Sequence, residues 1–257
     1  MRLIPKHRQR GQAEQGMTLI EHLEELRRRL VIAIAAIGAG AIVGWFLYEP
    51  VIDLLREPFC DTILQLPRGN RPPTGCAFVF SGPVDPVIVK LKVVVFLGLA
   101  IALPVVLYQL WAFIVPGLTK RERRLAWPFI FSSMVLFALG VLLAYVTLPK
   151  GLGFLLGFAG EGFAPLLTAD RFLGFVILVA FAFGLSFEFP IVLIFLAMAG
   201  VVSSRKLRDW RRYAYLAISI FAAIITPSAD PYTMLAMMIP MVLFYEAAII
   251  VARLMKK

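Results

Sequence analysis

Histidine, cysteine and acidic residues are scarce in this sequence. Its 257 residues include two histidines, two cysteines and 16 Asp or Glu. Both histidines, His7 and His22, lie in the N-terminal region, so no Ser–His pair can form within the apolar segments. Those segments also hold no Asp pair and no metal-ligand cluster, and no nucleotide-binding loop is present. We therefore expect a protein with no catalytic residues, no metal and no cofactor.

Charged residues of either sign make up 16% of the chain, whereas hydrophobic residues make up 60% and the mean hydropathy is +0.85. A soluble domain is typically about 45–50% apolar, so the composition indicates an integral membrane protein. The net charge of +10 also invites a nucleic-acid interpretation. However, the basic residues cluster in short segments between apolar runs, as the positive-inside rule expects. We therefore predict that the chain is embedded in a lipid bilayer and binds no nucleic acid.

Internal repeats and low-complexity tracts are absent, and the chain divides into apolar segments separated by short polar ones. The predicted fold is an all-α, six-helix membrane domain covering residues 17–257, preceded by a disordered basic extension over residues 1–16. The fifth segment has only 14 residues, or about 21 Å of helix, which is short for a hydrocarbon core of about 30 Å. The predicted spans are 30–48, 87–112, 125–148, 172–200, 213–226 and 233–252.

The distribution of basic residues predicts the orientation of the spans. The N-terminal region, residues 120–124, residues 203–212 and the C-terminus together carry 19 of the 26 Lys and Arg residues. Both termini are therefore predicted to be cytoplasmic. A cleaved signal peptide is the alternative for the first span, but its apolar stretch exceeds the usual length of about 7–15 residues and favours an uncleaved anchor.

The two cysteines, Cys60 and Cys76, fall in the same predicted outer loop. Two thiols in an oxidising compartment are expected to pair. The sequence therefore predicts a structural disulfide, with two unpaired thiols as the alternative.

The segment before the first span is predicted to be an amphipathic helix. Thr18 and Glu21 have the spacing of a capping box, and Glu25 and Arg29 form an i,i+4 pair. We expect the helix to lie along the cytoplasmic membrane surface before turning into the first span. Two interpretations of its charged residues remain open. They form either a face exposed to solvent or, more specifically, an acidic site for a cationic partner. The apolar stripe consists of Leu19, Leu23, Leu26 and Leu30.

A single charge, Glu188, interrupts the apolar run 172–200. Because a carboxylate in hydrocarbon has a large desolvation cost, it is expected to face protein or a water-filled cavity. Pro190 has no N–H to donate to the carbonyl of Ser186. The sequence therefore predicts a bend with a polar notch at mid-membrane, or an acid satisfied by partners within the bundle.

Taken in order along the chain, six motifs resemble those of the TatC family, the multi-span core subunits of the twin-arginine protein translocase. The resemblance covers nearly the whole chain after about residue 17. The motifs are Glu21-His22-Leu23-x-Glu25-Leu26-Arg27-x-Arg29-Leu30, Glu57-Pro58, Pro104-x-x-Leu107-Tyr108-Gln109-x-Trp111-x-Phe113-x-x-Pro116, Glu122-Arg123, Phe187-Glu188-x-Pro190, and Thr226-Pro227 followed by Ile239-Pro240.

The resemblance implies a glove-like bundle of six helices with a concave face, in the cytoplasmic (inner) membrane of a prokaryote. It implies that the protein binds twin-arginine signal peptides of folded cargo at the cytoplasmic side. It also implies assembly with single-span TatA- and TatB-type partners and with further copies of itself, for export driven by the proton-motive force.

The resemblance also assigns roles to individual residues. Glu25 and Glu122 are expected to receive the two arginines of the signal peptide, with Phe113 and Arg27 in the same region. On the residues alone, Glu122 is a lone acid among four bases, and its simplest role is to damp local repulsion. The remaining assignments are intramembrane polar positions on the concave face, Glu188 and Thr233, and partner contacts, Gln109 and Pro58.

Two other classes of function remain open from the sequence. A proton-coupled secondary transporter of small solutes usually shows inverted repeats and interrupted helices in matching halves, whereas this chain has one deep charge and no repeat. A scaffold that binds partners without recognising signal peptides would bind twin-arginine and twin-lysine peptides alike.

Overall fold

A computed structural model of the chain describes residues 19–114, 126–158, 166, 168–198, 200–226 and 230–254. Nearly all of these residues are helical, and one 3₁₀ turn at Arg68–Asn70 lies between the first two helices. The helices are α1 Leu19–Gln65, α2 Asp85–Ile114, α3 Ala126–Gly157, α4 Ala169–Ser186, α5 Phe189–Met198, α6 Ser204–Asp209, α7 Arg211–Ile225 and α8 Pro231–Leu254.

Five segments of the described chain are long and apolar enough to cross a membrane, and the fourth of them combines α4 and α5. Helix α7, which corresponds to the predicted fifth span, is shorter: it has 15 residues, or about 22 Å. It packs against α8, so a neighbouring helix supports the short span. The predicted all-α membrane protein is therefore confirmed.

Helix α1 extends well beyond the predicted first span. It runs for 47 residues, a length of about 70 Å, from Leu19 to Gln65. The predicted turn between a surface helix and the first span is therefore wrong. No glycine or proline occurs between residues 19 and 37 to end the helix, and the helix also continues through Pro50 and Pro58.

The bundle has two ends that differ in chemistry. At the basic end, α1 begins, α2 ends, α3 begins, and α6 and the last turn of α8 lie nearby. At the disulfide end, α1 ends, α2, α4 and α8 begin, and Cys60 is bonded to Cys76. Cys60 lies within α1 rather than in the predicted loop, and the Cα atoms of the two cysteines are 5.1 Å apart.

Buried apolar residues of the described helices form three clusters. The first lies at the disulfide end and joins α1, α2, α3 and α4. The second runs along α8 from Met237 to Ala252 and joins it to α3, α4, α5, α6 and α7. The third lies at the basic end and joins α2, α3 and α5. Representative residues are Phe59, Val89 and Phe172 in the first cluster, Phe183, Met237 and Met241 in the second, and Leu107, Ile130 and Ile191 in the third.

A concave groove of about 620 Å³ lies between α1, α2, α3 and α4. Its walls are almost entirely apolar and include Leu54, Phe96, Phe137 and Val176. Tyr145 supplies a hydroxyl group, which donates a hydrogen bond of 3.1 Å to the carbonyl of Leu54. The family resemblance implied a concave face, but neither Glu188 nor Thr233, the residues assigned to that face, lines this groove.

Helices α1 and α2 approach each other closely where they cross. A Cβ atom added to Gly40 would lie 2.5 Å from the backbone oxygen of Gly98, and one added to Gly98 would lie 2.7 Å from the nitrogen of Ala41. Small residues at such a crossing let two helix backbones pack closely in a membrane. Glycine at these positions therefore sets the distance between α1 and α2.

We predict that Gly40→Ala destabilises the protein by about 1–3 kcal/mol, because the new methyl group overpacks against backbone that cannot move aside. Gly38→Ala is the matched control, since a Cβ atom there has no neighbour within 4 Å. The control should leave stability unchanged or raise it by up to about 1 kcal/mol through helix propensity. Unfolding in mild detergent, followed by circular dichroism, measures both. Equal stability of the two variants would contradict the steric argument.

We also predict that reduction of the Cys60–Cys76 bond lowers stability by about 2–4 kcal/mol, as expected for a loop closed across 16 residues. The same unfolding measurement with and without reductant tests this. The double variant Cys60→Ala/Cys76→Ala should unfold like the reduced protein and be insensitive to reductant. A double variant as stable as the oxidised protein would show that the bond adds nothing.

Candidate functional site

The first turns of α1 present a polar face to the end of α2. His22, Glu25 and Arg29 recur at intervals of three and four residues, so they share one side of the helix. All three are partly buried, whereas Leu23 in the apolar stripe is 63% exposed. The stripe therefore faces the surroundings of the protein, and the polar side chains face the bundle.

Glu25 and Arg29 form an ion pair on this face. The Nε of Arg29 donates to Oε1 of Glu25 at 3.1 Å, and its Nη2 donates to the same oxygen. The Nη1 of Arg29 donates to Oε1 of Gln109 on α2 at 3.4 Å. The side chains of Glu25 and Arg29 are 23% and 21% exposed, so water and a ligand can still reach them.

An aromatic contact lies beside the ion pair. The ring of His22 stacks on Phe113 with a centroid distance of 4.4 Å and an angle of 24° between the planes. His22 and Phe113 lie on α1 and α2, so the stack joins the same two helices as the contact between Arg29 and Gln109. The two contacts together define a site at the basic end, which we call the α1–α2 site (His22, Glu25, Arg29, Gln109 and Phe113).

The structure brings three of the predicted residues into this site: Glu25, Phe113 and Gln109. Arg27 is exposed and lies off the face that contacts α2. Glu122 lies outside the described residues. The predicted site residues did not include His22 or Arg29, although their spacing from Glu25 was a signal that could have identified them.

The α1–α2 site has the chemistry of a guanidinium site. A carboxylate and an amide oxygen accept hydrogen bonds from one guanidinium group, here that of Arg29. Arginine presents several donors in a planar fork, so it can engage two acceptors at once in a way that lysine cannot. The neighbouring aromatic ring of Phe113 adds an apolar surface.

Glu188 occupies the break between α4 and α5. The backbone N–H of Glu188 bonds to the carbonyl of Leu185 at 3.1 Å, and α5 begins at the next residue. The side chain of Ser133 on α3 lies close to the Glu188 carboxyl group. The Oε1 atom of Glu188 is buried and has no hydrogen-bond partner among the described residues.

The contact with Ser133 places Glu188 closer to the basic end than the predicted mid-membrane position. Ser133 is only seven residues from the start of α3, or about 10 Å along a helix of about 48 Å. The break in the helix was predicted from Pro190. The depth of Glu188 depends on how α3 crosses α5, which is a tertiary property.

The structure separates Thr233 from Glu188. Thr233 lies in the first turn of α8 at the disulfide end and is buried. Its backbone N–H bonds to Oδ1 of Asp230 at 2.8 Å, and its hydroxyl bonds to Oδ2. Asp230 is also buried and caps α8, and Gly151 of α3 packs against this pair. The arrangement is that of a helix N-cap.

Pro58 is buried within α1, where its carbonyl accepts a hydrogen bond of 2.9 Å from the hydroxyl of Thr62. At the basic end, Glu246 of α8 forms an ion pair with Arg211 and accepts a hydrogen bond from the hydroxyl of Tyr215. These contacts hold α7 against α8. In the described part of the chain, no three His, Cys, Asp or Glu side chains are grouped to hold a metal.

Comparisons with known proteins agree on one family. The sequence profile described as "Sec-independent protein translocase protein (TatC)" matches residues 21–240. Among curated relatives, the TatC protein of Frankia casuarinae is 44% identical over 251 residues, covering 95% of this chain and 68% of the relative. The TatC protein of Aquifex aeolicus is 36% identical, covering 93% of this chain and 95% of the relative.

Solved structures lead to the same result. A crystal structure of the twin-arginine translocase receptor TatC superposes with a TM-score of 0.71 at 34% identity, covering 92% of this chain and all of the other. A second structure of that receptor, in DDM, gives a TM-score of 0.72 at 36% identity, covering 90% of this chain and 99% of the other. The chain, a multi-pass membrane protein, therefore belongs to the TatC family of Sec-independent protein translocase components.

Proposed function

We propose that this chain is the receptor subunit of a twin-arginine translocase, that it binds the signal peptides of folded proteins, and that it carries out no catalysis of its own. It assembles with TatA- and TatB-type single-span partners and with further copies of itself for export driven by the proton-motive force. The observation that carries the proposal is the α1–α2 site, where Glu25 already binds a guanidinium group.

The chemistry of the site fits one arginine of the pair. Glu25 is partly exposed, and Phe113 provides an apolar surface beside it. The second acceptor in the proposal is Glu122, which lies in the chain between α2 and α3. Helix α2 ends and α3 begins at the basic end. Two separated carboxylates can then select two consecutive arginines.

The proposed orientation places the basic end, and both termini, in the cytoplasm of a prokaryotic cell. Arginine and lysine concentrate there in the first turns of α1 and in α6 and the start of α7. Such an excess in short loops is typical of the cytoplasmic side. A twin-arginine signal peptide, made in the cytoplasm, then meets the α1–α2 site directly.

The alternative function from the sequence, a proton-coupled transporter, has no support among the relatives of this chain. The relatives described above are named as protein translocase components.

We predict that the purified protein in nanodiscs binds a twin-arginine signal peptide more tightly than its twin-lysine version. Glu25→Gln should weaken binding of the arginine peptide by about 1.5–3 kcal/mol, the worth of a charge-assisted contact. Fluorescence anisotropy of a labelled peptide measures the dissociation constants. The same variant should affect the lysine peptide much less.

Glu24→Gln is the matched control for this prediction. Glu24 is exposed on the neighbouring face of α1, so the variant removes the same charge without touching the site. Its affinity for the arginine peptide should stay close to that of the wild type. Equal binding of the arginine and lysine peptides, insensitive to Glu25→Gln, would contradict receptor function and favour a scaffold.

For Glu188 we propose a role in partner binding. The side chain of Glu188 is only partly buried, so a polar side chain of a TatA- or TatB-type helix can approach its carboxyl group and donate a hydrogen bond to it. Pairing of this kind removes the cost of leaving a polar atom unsatisfied in an apolar setting. The contact with Ser133 holds the carboxyl group in place at the α4–α5 break.

We predict that Glu188→Ala reduces site-specific crosslinking to TatA- or TatB-type partners and lowers export several-fold, because it removes the acceptor. Ser186→Ala is the control, since the Ser186 hydroxyl is buried and donates to the carbonyl of Ala182 on its own helix. Crosslinking yields in membranes and export of a folded reporter are the two readouts. Unchanged values for Glu188→Ala would reject this role.

A further inference from the structure

The acidic residue of the α1–α2 site is occupied by an arginine of the chain itself. Arg29 gives two hydrogen-bond donors, Nε and Nη2, to a single oxygen of Glu25. A third donor, Nη1, bonds to Gln109 at 3.4 Å, near the upper limit for a hydrogen bond. The guanidinium therefore lies between two acceptors, closely bound to one and loosely to the other.

We propose that Arg29 is an internal substitute for an arginine of the signal peptide, and that binding exchanges one guanidinium for the other on Glu25. In this exchange, Gln109 accepts the displaced Arg29. The inference rests on the proposed function and adds to it a residue that determines specificity. Arg29 acts through Glu25, so it is a positioning residue rather than a direct contact of the peptide.

The exchange explains how a partly buried carboxylate is kept available. Leaving a charge unpaired in a low-dielectric setting is costly, and Arg29 keeps Glu25 paired until a ligand arrives. Both donors of Arg29 go to Oε1. The second oxygen, Oε2, takes part in neither bond and is the atom at which an incoming guanidinium first binds.

The exchange also raises selectivity for arginine over lysine. The guanidinium of Arg29 makes two hydrogen bonds to Glu25. A ligand that displaces Arg29 must make two hydrogen bonds to Glu25 itself, or binding energy is lost. A guanidinium presents a planar fork that can do so, whereas an ammonium group binds as a point charge. Displacing Arg29 therefore costs free energy, and an arginine peptide recovers more of that cost than a lysine peptide does.

The first test is peptide binding to the full-length Arg29→Gln variant in nanodiscs. Removing the competitor should tighten binding of the arginine peptide about two- to fivefold, the range expected for a partly exposed ion pair. The lysine peptide should gain more, so the ratio of the two affinities should fall. Arg29→Lys keeps the charge but loses the planar fork. It should also tighten binding of the arginine peptide and lower the ratio of the two affinities.

Arg28→Gln is the matched control. It removes the same charge from the next position on α1, where the side chain is exposed. Any general gain in attraction for a cationic peptide appears in this control and should affect the arginine and lysine peptides equally. The exchange predicts a change of selectivity in Arg29→Gln that is absent in Arg28→Gln.

Gln109→Leu tests where the displaced guanidinium goes. With Arg29 present, this variant should weaken binding of the arginine peptide, because the released side chain loses its acceptor. In the Arg29→Gln background, the same substitution should have no further effect. Such coupling between two positions is what a double-mutant cycle measures.

The outcomes separate this inference from the proposed function. If the wild type prefers the arginine peptide and depends on Glu25, but Arg29→Gln binds it no more tightly than Arg28→Gln, the exchange is wrong and the receptor function stands. If the wild type does not distinguish the two peptides, both are wrong. Tighter binding with reduced selectivity in Arg29→Gln and Arg29→Lys supports the exchange.

Discussion

A lipid bilayer offers no water to hydrogen-bond a backbone, and this constraint accounts for most of the structure. Each N–H and C=O in the hydrocarbon must be satisfied within the chain, which leaves the helix as the natural spanning element. The described residues obey this almost throughout. The clear interruption of a membrane-length segment, at Phe187 and Glu188, retains backbone bonds to Phe183 and Leu185 and is covered by α3.

The lipid bilayer also determines where charged side chains lie. At the disulfide end, Lys92 pairs with Asp170 at 2.6 Å, and Lys90 lies 4.1 Å from the ring centroid of Trp45. At the basic end, Glu246 pairs with Arg211 and Glu25 pairs with Arg29. The apolar stretch between the ends contains the concave groove. Charged groups that could meet a polar ligand therefore lie at the ends of the bundle, whereas the groove between them is apolar.

Contacts of the α1–α2 site that lie within α1 could be predicted from the sequence, whereas contacts between α1 and α2 could not. Glu25 and Arg29 are four residues apart on one helix, so their pairing follows from helix geometry. The contact of Arg29 with Gln109 joins residues 80 apart, and His22 meets Phe113 across a comparable interval. Such contacts depend on how α1 packs on α2, and family motifs indicated only that these residues belong to a common function.

The sequence by itself determined the membrane environment, the all-helical class and the end of the bundle where arginine and lysine gather, because hydropathy and charge act locally along the chain. It also indicated the helix break at Glu188, since Pro190 lacks an N–H. Tertiary structure decided that Thr233 caps α8 away from Glu188, that His22 stacks on Phe113, and that Arg29 reaches Gln109. The two contacts between α1 and α2 depend on the close crossing of these helices at small residues such as Gly40 and Gly98. That crossing brings distant side chains to within hydrogen-bonding distance.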